Sequence, residues 1–432
     1  MKKIFFLYLY IILLFIINIF NFKLELLLIF FCITYILYII FSLLKFKKIK
    51  HLFLSSDFIF ESVFFVYSIM AALMFIIDDY KPRVDFFRID YDTIYRTLKL
   101  YLNINIIYII LDLLLNGPAS KDFNKSISNY CSNVNYKIEI WDIVALFCSI
   151  YFLYLNFRNG FSILFTNNRI LRTLIYSGIN VYIYLYMITY CSIRYTEFMY
   201  IKKITKKYFL IFIITIPFWL ISLLTDRRNI INLLIILTMV LFSKLKRIKV
   251  KLLLKILFVI LIFLSLGYFR ANDSFSKDRY RELFYMSNGE FILSHYVSEY
   301  YINHKSTLYY GKTYFVDTFT KFFPRFIYKN KPIDLSEKFY KDAKTNVGFA
   351  FNPVAEGLIN FGEFGSILFV PLTIYFYVFL ANILQKKNFF NFLIVSGYSI
   401  NIFRGFFANS IFAIVFMCVV VFLMTGRKVD TI

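Results

Sequence analysis

Histidine and cysteine, the side chains that most often build metal sites and disulfide frameworks, are scarce in this chain. Only 3 histidines and 5 cysteines occur among 432 residues. The histidines stand far apart in sequence, at His51, His295 and His304, so no Cys/His metal-binding pattern is visible. No cysteine lies in the long polar stretch 269–357, which argues against a disulfide framework. We therefore expect neither a metal nor any other cofactor.

Acidic residues are also few, with 26 Asp and Glu against 49 Lys and Arg, and the formal net charge is +23. Such an excess of positive charge is typical of proteins that bind nucleic acid. The basic residues, however, are concentrated in short clusters between apolar runs, as at 45–50 (KFKKIK), 202–207 and 244–251. This is the distribution of cytoplasmic loops under the positive-inside bias, and it predicts that nucleic acid is not a partner.

Long apolar runs dominate the rest of the chain. Hydrophobic residues make up 60% of it and the mean hydropathy is +0.67, whereas soluble domains are about 45–50% apolar. The runs approach about twenty residues, the length that crosses a hydrocarbon layer of ~30 Å. They do not alternate apolar and polar residues as the strands of a β-barrel do. The sequence therefore predicts an all-α polytopic integral membrane protein with the lipid bilayer as its surroundings.

We expect about twelve transmembrane helices. Lys2 and Lys3 put the N-terminus in the cytoplasm, and alternation then puts the C-terminus and every dense lysine cluster on the same side. The first apolar run lacks a small-residue cleavage site, so we interpret it as an uncleaved span. The expected spans are 4–22, 24–44, 56–77, 98–116, 140–157, 173–193, 208–224, 229–243, 252–268, 358–383, 389–403 and 407–425.

This topology divides the chain into three parts. Residues 1–268 carry the first nine expected spans, 269–357 form one large extracytoplasmic loop, and 358–432 carry the last three spans and a cytoplasmic C-terminus. The loop mixes charges of both signs with many tyrosines, which predicts helical segments rather than a flexible linker. The whole pattern indicates a multi-pass membrane protein.

Arginines at the outer membrane edge are the first candidates for a ligand site. Arg227 and Arg228 lie in the short outside loop 225–228, where the positive-inside bias disfavours arginine. A guanidinium fork binds phosphate oxygens in a bidentate manner, so the set predicts an anionic ligand. Snorkelling to lipid headgroups is the alternative explanation for each one alone. Further arginines expected at outside edges are Arg158, Arg169, Arg172, Arg270, Arg325 and Arg404.

Two linked motifs close the large loop. In FFPRFIYKNKP, prolines restrict the backbone on either side of Arg325 and Lys331. In GFAFNPVAEGLINFGEFG, Glu356 and Asn360 are four residues apart and would share one helix face. Asn352 followed by proline is a good start for a helix, which explains part of this second motif. That explanation does not cover three residues of the expected span: Asn360, Gly362 and Gly365.

Two carboxylates, Glu61 and Asp112, fall within apolar runs. A charge at the centre of a bilayer costs about 2.5–3.5 kcal/mol on insertion scales. Both residues lie near the edge of an expected span, which favours a structural role. A proton-coupled carrier would also need such carboxylates, so that alternative stays open.

On these motifs the chain resembles the bacterial oligosaccharide repeat-unit polymerases, or O-antigen polymerases. The shared features are the large outside loop ending in PRF…KP, then G…NP…E…NFG..G before a span, and the short loop DRRN. Residue-level likeness covers about 225–228 and 311–365, and the architecture covers the whole chain. The resemblance implies a metal-independent membrane glycosyltransferase that uses a polyprenyl-diphosphate-linked glycan as donor. It would transfer this glycan to a sugar hydroxyl of another lipid-linked unit on the outer face.

The resemblance also implies roles for particular residues. Cations stabilise the charge that develops on the leaving diphosphate, and a general base receives the proton of the acceptor hydroxyl. Glu356 is the candidate base. Tyrosines 309, 310 and 314 would either stack on sugar rings or form loop core. The expected catalytic set is Glu356, Arg227, Arg228 and Arg325, and the expected substrate-binding set is Arg270, Lys331, Asn360, Tyr310 and Arg404.

Other functions share parts of this pattern. An O-antigen ligase has the same spans, outside loop and arginines but transfers finished polymer to the lipid A core. A flippase or ion-coupled exporter of lipid-linked glycans also has about twelve spans, although the large outside loop argues against it. A structural membrane scaffold does not account for the outside arginines. A chain-length regulator and a flippase are expected as partners by analogy with the family alone.

Overall fold

The computed structural model bears out the predicted class of fold at the level of secondary structure. It describes residues 2–46, 49–78, 90–115, 130–131, 137–159, 179–201, 205–224, 227–245, 288–304, 307–323, 328, 332–344 and 351–426. Of these residues, 88% are helical and none lies in a strand. The apolar periodicity of the sequence therefore forms helices throughout the described chain, as the absence of alternating patterns predicts.

The helices are numbered here in chain order. Before the large loop they are α1 (Lys2–Ile19), α2 (Leu24–Phe46), α3 (Ile49–Leu52), α4 (Ser56–Asp78), α5 (Tyr91–Leu115), α6 (Ile140–Asn159), α7 (Ile179–Tyr200), α8 (Lys206–Leu224) and α9 (Arg227–Lys244). The expected loop holds α10 (Asn288–Asn303), a π-helical turn (Thr313–Asp317), α11 (Thr318–Lys321) and α12 (Leu335–Ala343). After it come α13 (Pro353–Lys387), α14 (Phe389–Gly397), α15 (Ser399–Phe403) and α16 (Phe407–Thr425).

Six of the described helices contain a stretch long and apolar enough to cross a membrane. They are Lys2–Ile19, Leu24–Phe46, Ser56–Ile76, Tyr91–Leu115, Pro353–Gln385 and Phe407–Thr425. Two shorter apolar helices, Ile140–Tyr154 and Ile230–Lys244, fall below that length. The expected span 252–268 lies outside the described residues. The membrane class thus has structural support, and the count of about twelve spans stays a prediction.

Exposed apolar side chains on α1 show how such a helix meets its surroundings. Ile4, Phe5, Tyr8 and Ile12 are all more than half exposed, and they follow one another at helical spacing along one side. Tyr10, on the other side, is fully buried. A continuous exposed apolar face is costly in water and favourable against lipid acyl chains.

The chain divides into two compact units. The first comprises Met1–Ala119, Phe284–Leu380 and Asn401–Phe412. Within it α5 is the central helix, because it packs against α1, α2 and α4 and is buried along most of its length. The loop helix α10 packs on α4 and α5. The beginning of α13 and the motifs of the large loop belong to this unit.

The second unit comprises Ser120–Leu283, Ala381–Ile400 and Ala413–Ile432. Its helix α8 packs against α6, α7 and α9, and the short helix α14 packs against α7 and α9. Close approach of α14 to α9 depends on Gly397, because a Cβ at this position would overlap the side chain of Ile236. The expected single span 389–403 is interrupted after this glycine, where α14 ends and α15 begins.

Candidate functional site

Helix α13 begins where the sequence predicts a cap, at Asn352 and Pro353. The Asn352 side chain accepts a hydrogen bond from the backbone N–H of Ala355 at 2.8 Å, which satisfies one of the free donors of the first turn. Its amide nitrogen donates to the hydroxyl of Ser298 at 2.9 Å and to the carbonyl oxygen of Ser294. The predicted cap is confirmed, and the same side chain fixes the start of α13 on α10.

The helix then breaks at Gly362, where φ is 70° and ψ is −174°. This region of backbone space is accessible in practice to glycine alone. Thirteen residues of straight helix span about 20 Å, yet Val370 Cγ2 lies 2.5 Å from the position of a Cβ built on Gly357. The two halves of α13 therefore fold sharply against each other, and a side chain at Gly357 would prevent this approach.

The break leaves carbonyl groups at the end of the first half without helical partners. The backbone N–H groups of Tyr309 and Tyr310 donate to the carbonyl oxygens of Ile359 and Asn360, both at 3.0 Å. Tyr310 and Gly311 form a tight turn with φ of 49° and 83°, respectively. This turn directs the N–H groups of Tyr309 and Tyr310 toward the C-terminal end of the first half of α13. Residues of the large loop therefore cap that helix end.

Glu356 lies one turn inside the first half of α13 and is fully buried. Its Oε1 accepts a hydrogen bond from the hydroxyl of Thr313 at 2.6 Å. Its Oε2 accepts one from the backbone N–H of Phe407, the first residue of α16, at 2.7 Å. The carboxylate thus joins three elements and lies against a helix N-terminus, where the aligned peptide dipoles favour negative charge.

Asn360 shares this face of α13, as its spacing from Glu356 predicts, and it is also fully buried. Its amide nitrogen donates to Thr313 Oγ1 at 2.7 Å and to the carbonyl oxygen of Glu356 at 2.8 Å. Its Oδ1 is buried and has no hydrogen-bond partner among the described residues. The Glu356, Thr313 and Asn360 side chains are called here the broken-helix cluster, and the Asn360 oxygen is an unused acceptor of this cluster among the described residues.

The other predicted site residues fall in different places. Arg404 begins the short connection before α16 and is half-buried, three residues from the Phe407 N–H that Glu356 accepts. The Tyr310 ring is 81% exposed, whereas Tyr314 is buried and stacks on Phe361 with a ring distance of 6.0 Å. Tyr314 is thus loop core and Tyr310 is not.

The predicted diphosphate contacts lie outside the described side chains. Arg227 and Arg228 form the first turn of α9, but their side chains lie outside the described residues. Arg270, Arg325 and Lys331 lie outside them altogether. Their expected roles therefore stay predictions, as do those of Arg158, Arg169 and Arg172.

The two carboxylates of the apolar runs have polar partners in the first unit. Glu61 Oε1 accepts a hydrogen bond from the amide nitrogen of Asn105 at 2.6 Å. Asp112 Oδ2 accepts one from the hydroxyl of Tyr38 at 3.3 Å. All four side chains are buried between α2, α4 and α5. These partners favour the structural role, since buried polar groups in a helix bundle are ordinarily hydrogen-bonded to one another.

Sequence reasoning missed a buried pair on α10. His295 Nδ1 and Glu299 Oε1 lie 2.7 Å apart, and the ring of Tyr101 stacks on His295 with a centroid distance of 4.7 Å. Both members of the pair are buried. Spacing of four residues on a predicted helix is the signal that would have found them. They lie on the α10 face that also contacts Asn352 through Ser294 and Ser298.

It also missed a charged cluster in the second unit. The guanidinium of Arg194, only 2% exposed, donates to Glu139 at 2.7 Å, Asp142 at 3.0 Å and Glu197 at 3.0 Å. Lys207 Nζ lies 3.6 Å from Glu139. Burial raises the pKa of Glu139, but the hydrogen bond and charge of Arg194, together with Lys207, outweigh burial and lower it. Mutual pairing of this kind stabilises buried charge and ties α6, α7 and α8 together.

Within the described part of the chain, no group of three or more His, Cys, Asp and Glu side chains is arranged to hold a metal ion. The structure therefore assigns no ligand set, and the expectation of a metal-independent reaction stays a prediction. Comparison of the chain with protein-family models, curated proteins and solved structures finds no match.

Proposed function

We propose that this protein is a membrane glycosyltransferase that polymerises lipid-linked oligosaccharide repeat units into a surface polysaccharide. It would act on the outer face of a bacterial plasma membrane and use a glycan on polyprenyl diphosphate as donor. One observation supports the proposal above all. The motif on which the chain resembles the repeat-unit polymerases coincides with a broken helix that buries Glu356 and Asn360 beside the N-terminus of α16.

A broken helix at this position supports a binding role for physical reasons. Non-helical backbone is tolerated at membrane depth only where protein covers it or where it lines a cavity. In membrane transporters, broken helices contribute their ends to sites for charged substrates. Here the break places polar side chains and a helix N-terminus next to the connection that carries Arg404. Such an arrangement suits a ligand with both sugar hydroxyls and phosphate groups.

The proposed reaction is a displacement at the anomeric carbon of the donor. The acceptor hydroxyl oxygen forms a bond to that carbon, and the bond between the carbon and the diphosphate oxygen breaks. The electron pair leaves with polyprenyl diphosphate, while the hydroxyl proton passes to a general base. In this proposal Arg227, Arg228 and Arg325 stabilise the charge on the diphosphate, with Arg270, Lys331 and Arg404 as further contacts.

Glu356 is the base in this proposal, and its surroundings define how it would act. A carboxylate has about four lone-pair sites, and the hydrogen bonds from Thr313 and Phe407 use two of them. Oriented hydrogen bonds of this kind hold the carboxylate in one position, which is what a base needs in order to meet a bound hydroxyl. The unused Oδ1 of Asn360 is a second acceptor for that hydroxyl.

The proposal includes the topology of about twelve spans with both termini in the cytoplasm. The six candidate spans of the described chain and the distribution of lysine clusters support it. It also includes a chain-length regulator and a flippase as partners, which would act on the same lipid-linked units. These partners rest on the resemblance alone.

Substitution of the arginines tests the proposal. In cells that depend on this protein, Arg227→Ala, Arg228→Ala and Arg325→Ala should each leave membrane insertion intact and stop chain elongation, because the leaving group loses its stabilising charge. The cells should then accumulate single repeat units, measured as a collapse of the polysaccharide ladder on a gel. Lys341→Ala is the matched control, since this exposed lysine of the same loop pairs with Glu337 on its own helix. Full-length polymer from all three arginine variants would overturn these assignments.

A further inference from the structure

The segment 312–323, which runs from the Tyr310 turn to the first two residues of FFPRFIYKNKP, exposes an apolar face. Phe315 is 76% exposed and Phe319 is 68% exposed, and the neighbouring apolar side chains on this face are also exposed. The face consists of Phe315, Val316, Phe319, Phe322 and Phe323. Their spacing of one, four, seven and eight residues is that of one side of a helix. We call these five side chains the aromatic face.

The opposite side of the same segment is attached to the protein. Thr313, Tyr314 and Thr320 are buried. Thr313 donates to Glu356, and Tyr314 stacks on Phe361. The segment is therefore held by its inner side, while Phe315 and Phe319 on its outer side stay largely exposed.

The aromatic face continues into the surfaces of two candidate membrane spans. The ring of Phe322 contacts that of Phe412 on α16 at 5.4 Å. On the other side, Gly311 lies between the rings of Phe315 and Phe361, and Phe361 stacks on Phe369 of α13 at 4.0 Å. The apolar side chains of α13 that follow, from Phe364 to Leu372, are exposed as a lipid-facing span requires: Phe364, Leu368, Phe369 and Leu372.

Charged groups border the aromatic face and do not interrupt it. Lys312 precedes the face and is exposed, and Lys321 Nζ pairs with Asp334 at 2.8 Å. The pKa of the half-buried Asp317 is raised, because burial and the charge of Asp334 outweigh the opposing charges of Lys312 and Lys321. A short apolar face with lysines at its border is the pattern of a helix that lies in a membrane interface.

We propose that the segment 312–323 is an interfacial helix whose aromatic face lies among the acyl chains of the bilayer leaflet on the side of the large loop. Lipid is the occupant that the contacts favour, because the face is continuous with the exposed side of α13 and also contacts Phe412 of α16. Immersion of this helix would hold Thr313, and with it the broken-helix cluster, at the level of the lipid headgroups. The inference does not depend on glycan transfer, so either proposal can fail without the other.

Site-directed spin labelling of the full chain tests this inference. The five native cysteines would be replaced by serine, and single cysteines placed at Phe315 or Phe319 would carry a nitroxide in vesicles of phosphatidylethanolamine and phosphatidylglycerol. Because oxygen concentrates in the acyl region and a nickel chelate stays in water, both labels should be relaxed by oxygen and protected from nickel. A label at Glu337, a half-exposed carboxylate of α12, is the control and should be relaxed by nickel.

Each outcome decides the proposal. Relaxation of the Phe315 and Phe319 labels by nickel, to the level of the Glu337 control, would place the face in water and overturn it. Protection from both oxygen and nickel would show a protein covering the face, either a partner or a second copy, and would also overturn it. If the cysteine-free chain does not fold, the fluorescence of Phe319→Trp in the native chain tests whether the aromatic face contacts lipid. Brominated lipids should quench this added fluorescence, but not that of Glu337→Trp.

Discussion

At the scale of single residues, Thr313 holds the broken-helix cluster together. Its hydroxyl donates to Glu356 and accepts from Asn360, so one oxygen atom connects a buried carboxylate with a buried amide. Loss of that oxygen would leave both partners buried with one hydrogen bond fewer. A buried polar group without its partner costs about 1–3 kcal/mol, which exceeds the value of an average hydrogen bond.

We therefore expect Thr313→Val, which keeps the shape and removes the hydroxyl, to lower the free energy of unfolding by about 1–3 kcal/mol. Thr313→Ser keeps the hydroxyl and is the matched control, with a smaller loss from the missing methyl group. The measurement is the thermal unfolding midpoint of the detergent-purified protein, together with chain elongation in cells. Equal stability of the valine and serine variants would contradict the role assigned to the hydroxyl.

The sequence predicts part of this cluster and not the rest. Asn352, Pro353 and the shared face of Glu356 and Asn360 follow from local spacing, because a helix start and a four-residue interval are local features. The hydroxyl that connects them lies 43 residues before Glu356 in sequence. No local pattern distinguishes Thr313 from other threonines, so only the tertiary structure identifies it.

At the scale of elements, the break in α13 determines where the functional residues lie. In an unbroken helix from residue 353 to 387, the carbonyl oxygens of Ile359 and Asn360 would accept hydrogen bonds from the N–H groups four residues further along. The break instead frees two carbonyl groups, which the N–H groups of Tyr309 and Tyr310 satisfy. The loop and the span thereby stabilise each other, and the polar side chains are covered by protein rather than lipid.

Gly362→Ala should disrupt this arrangement for a backbone reason. Among the described residues, a Cβ at Gly362 would meet only Leu308 Cδ2, at 4.0 Å, so the space is open and the cost lies in the φ of 70° and ψ of −174°. We expect a loss of about 1–3 kcal/mol in stability and reduced elongation. The comparison is Gly426→Ala, where φ is 61° and a Cβ would meet no atom of the described residues within 4 Å.

The expected cost at Gly426 is about 1–2 kcal/mol at most, without an effect on elongation, because this glycine only ends α16. The readouts are the unfolding midpoint in detergent and the length of the polysaccharide ladder. A Gly362→Ala protein that elongates as well as the Gly426→Ala protein would show that the break is not needed for function.

Element boundaries were the least predictable feature of the sequence. The expected span 358–383 lies within α13, but the helix begins at Pro353 and is interrupted at Gly362. The expected boundary of the large loop at residue 357 therefore falls inside a helix. A hydropathy average reports the apolar content of a window of residues and carries no information on the backbone angles of one glycine. It therefore predicts the span but not the break at Gly362.

At the scale of the whole molecule, composition predicts the class and leaves the number of spans undecided. The excess of apolar residues and the absence of alternation predict an all-α membrane protein, which the described helices support. Charged residues within helices make counting harder. The expected span 173–193 corresponds to α7, whose C-terminal part carries Arg194 and Glu197 in a buried ion pair. The two charges compensate each other by pairing, and a hydropathy scale does not account for such pairing because it scores each residue separately.

Reconstitution of the purified chain tests most directly whether this protein joins lipid-linked repeat units by itself. The purified protein would be placed in vesicles with polyprenyl-diphosphate-linked repeat units, with no sugar nucleotide and with a chelator of divalent cations. The account predicts a ladder of longer lipid-linked glycans and release of one polyprenyl diphosphate for each bond formed. Repeat units that stay single throughout, or that cross the bilayer without joining as an exporter would move them, would contradict it.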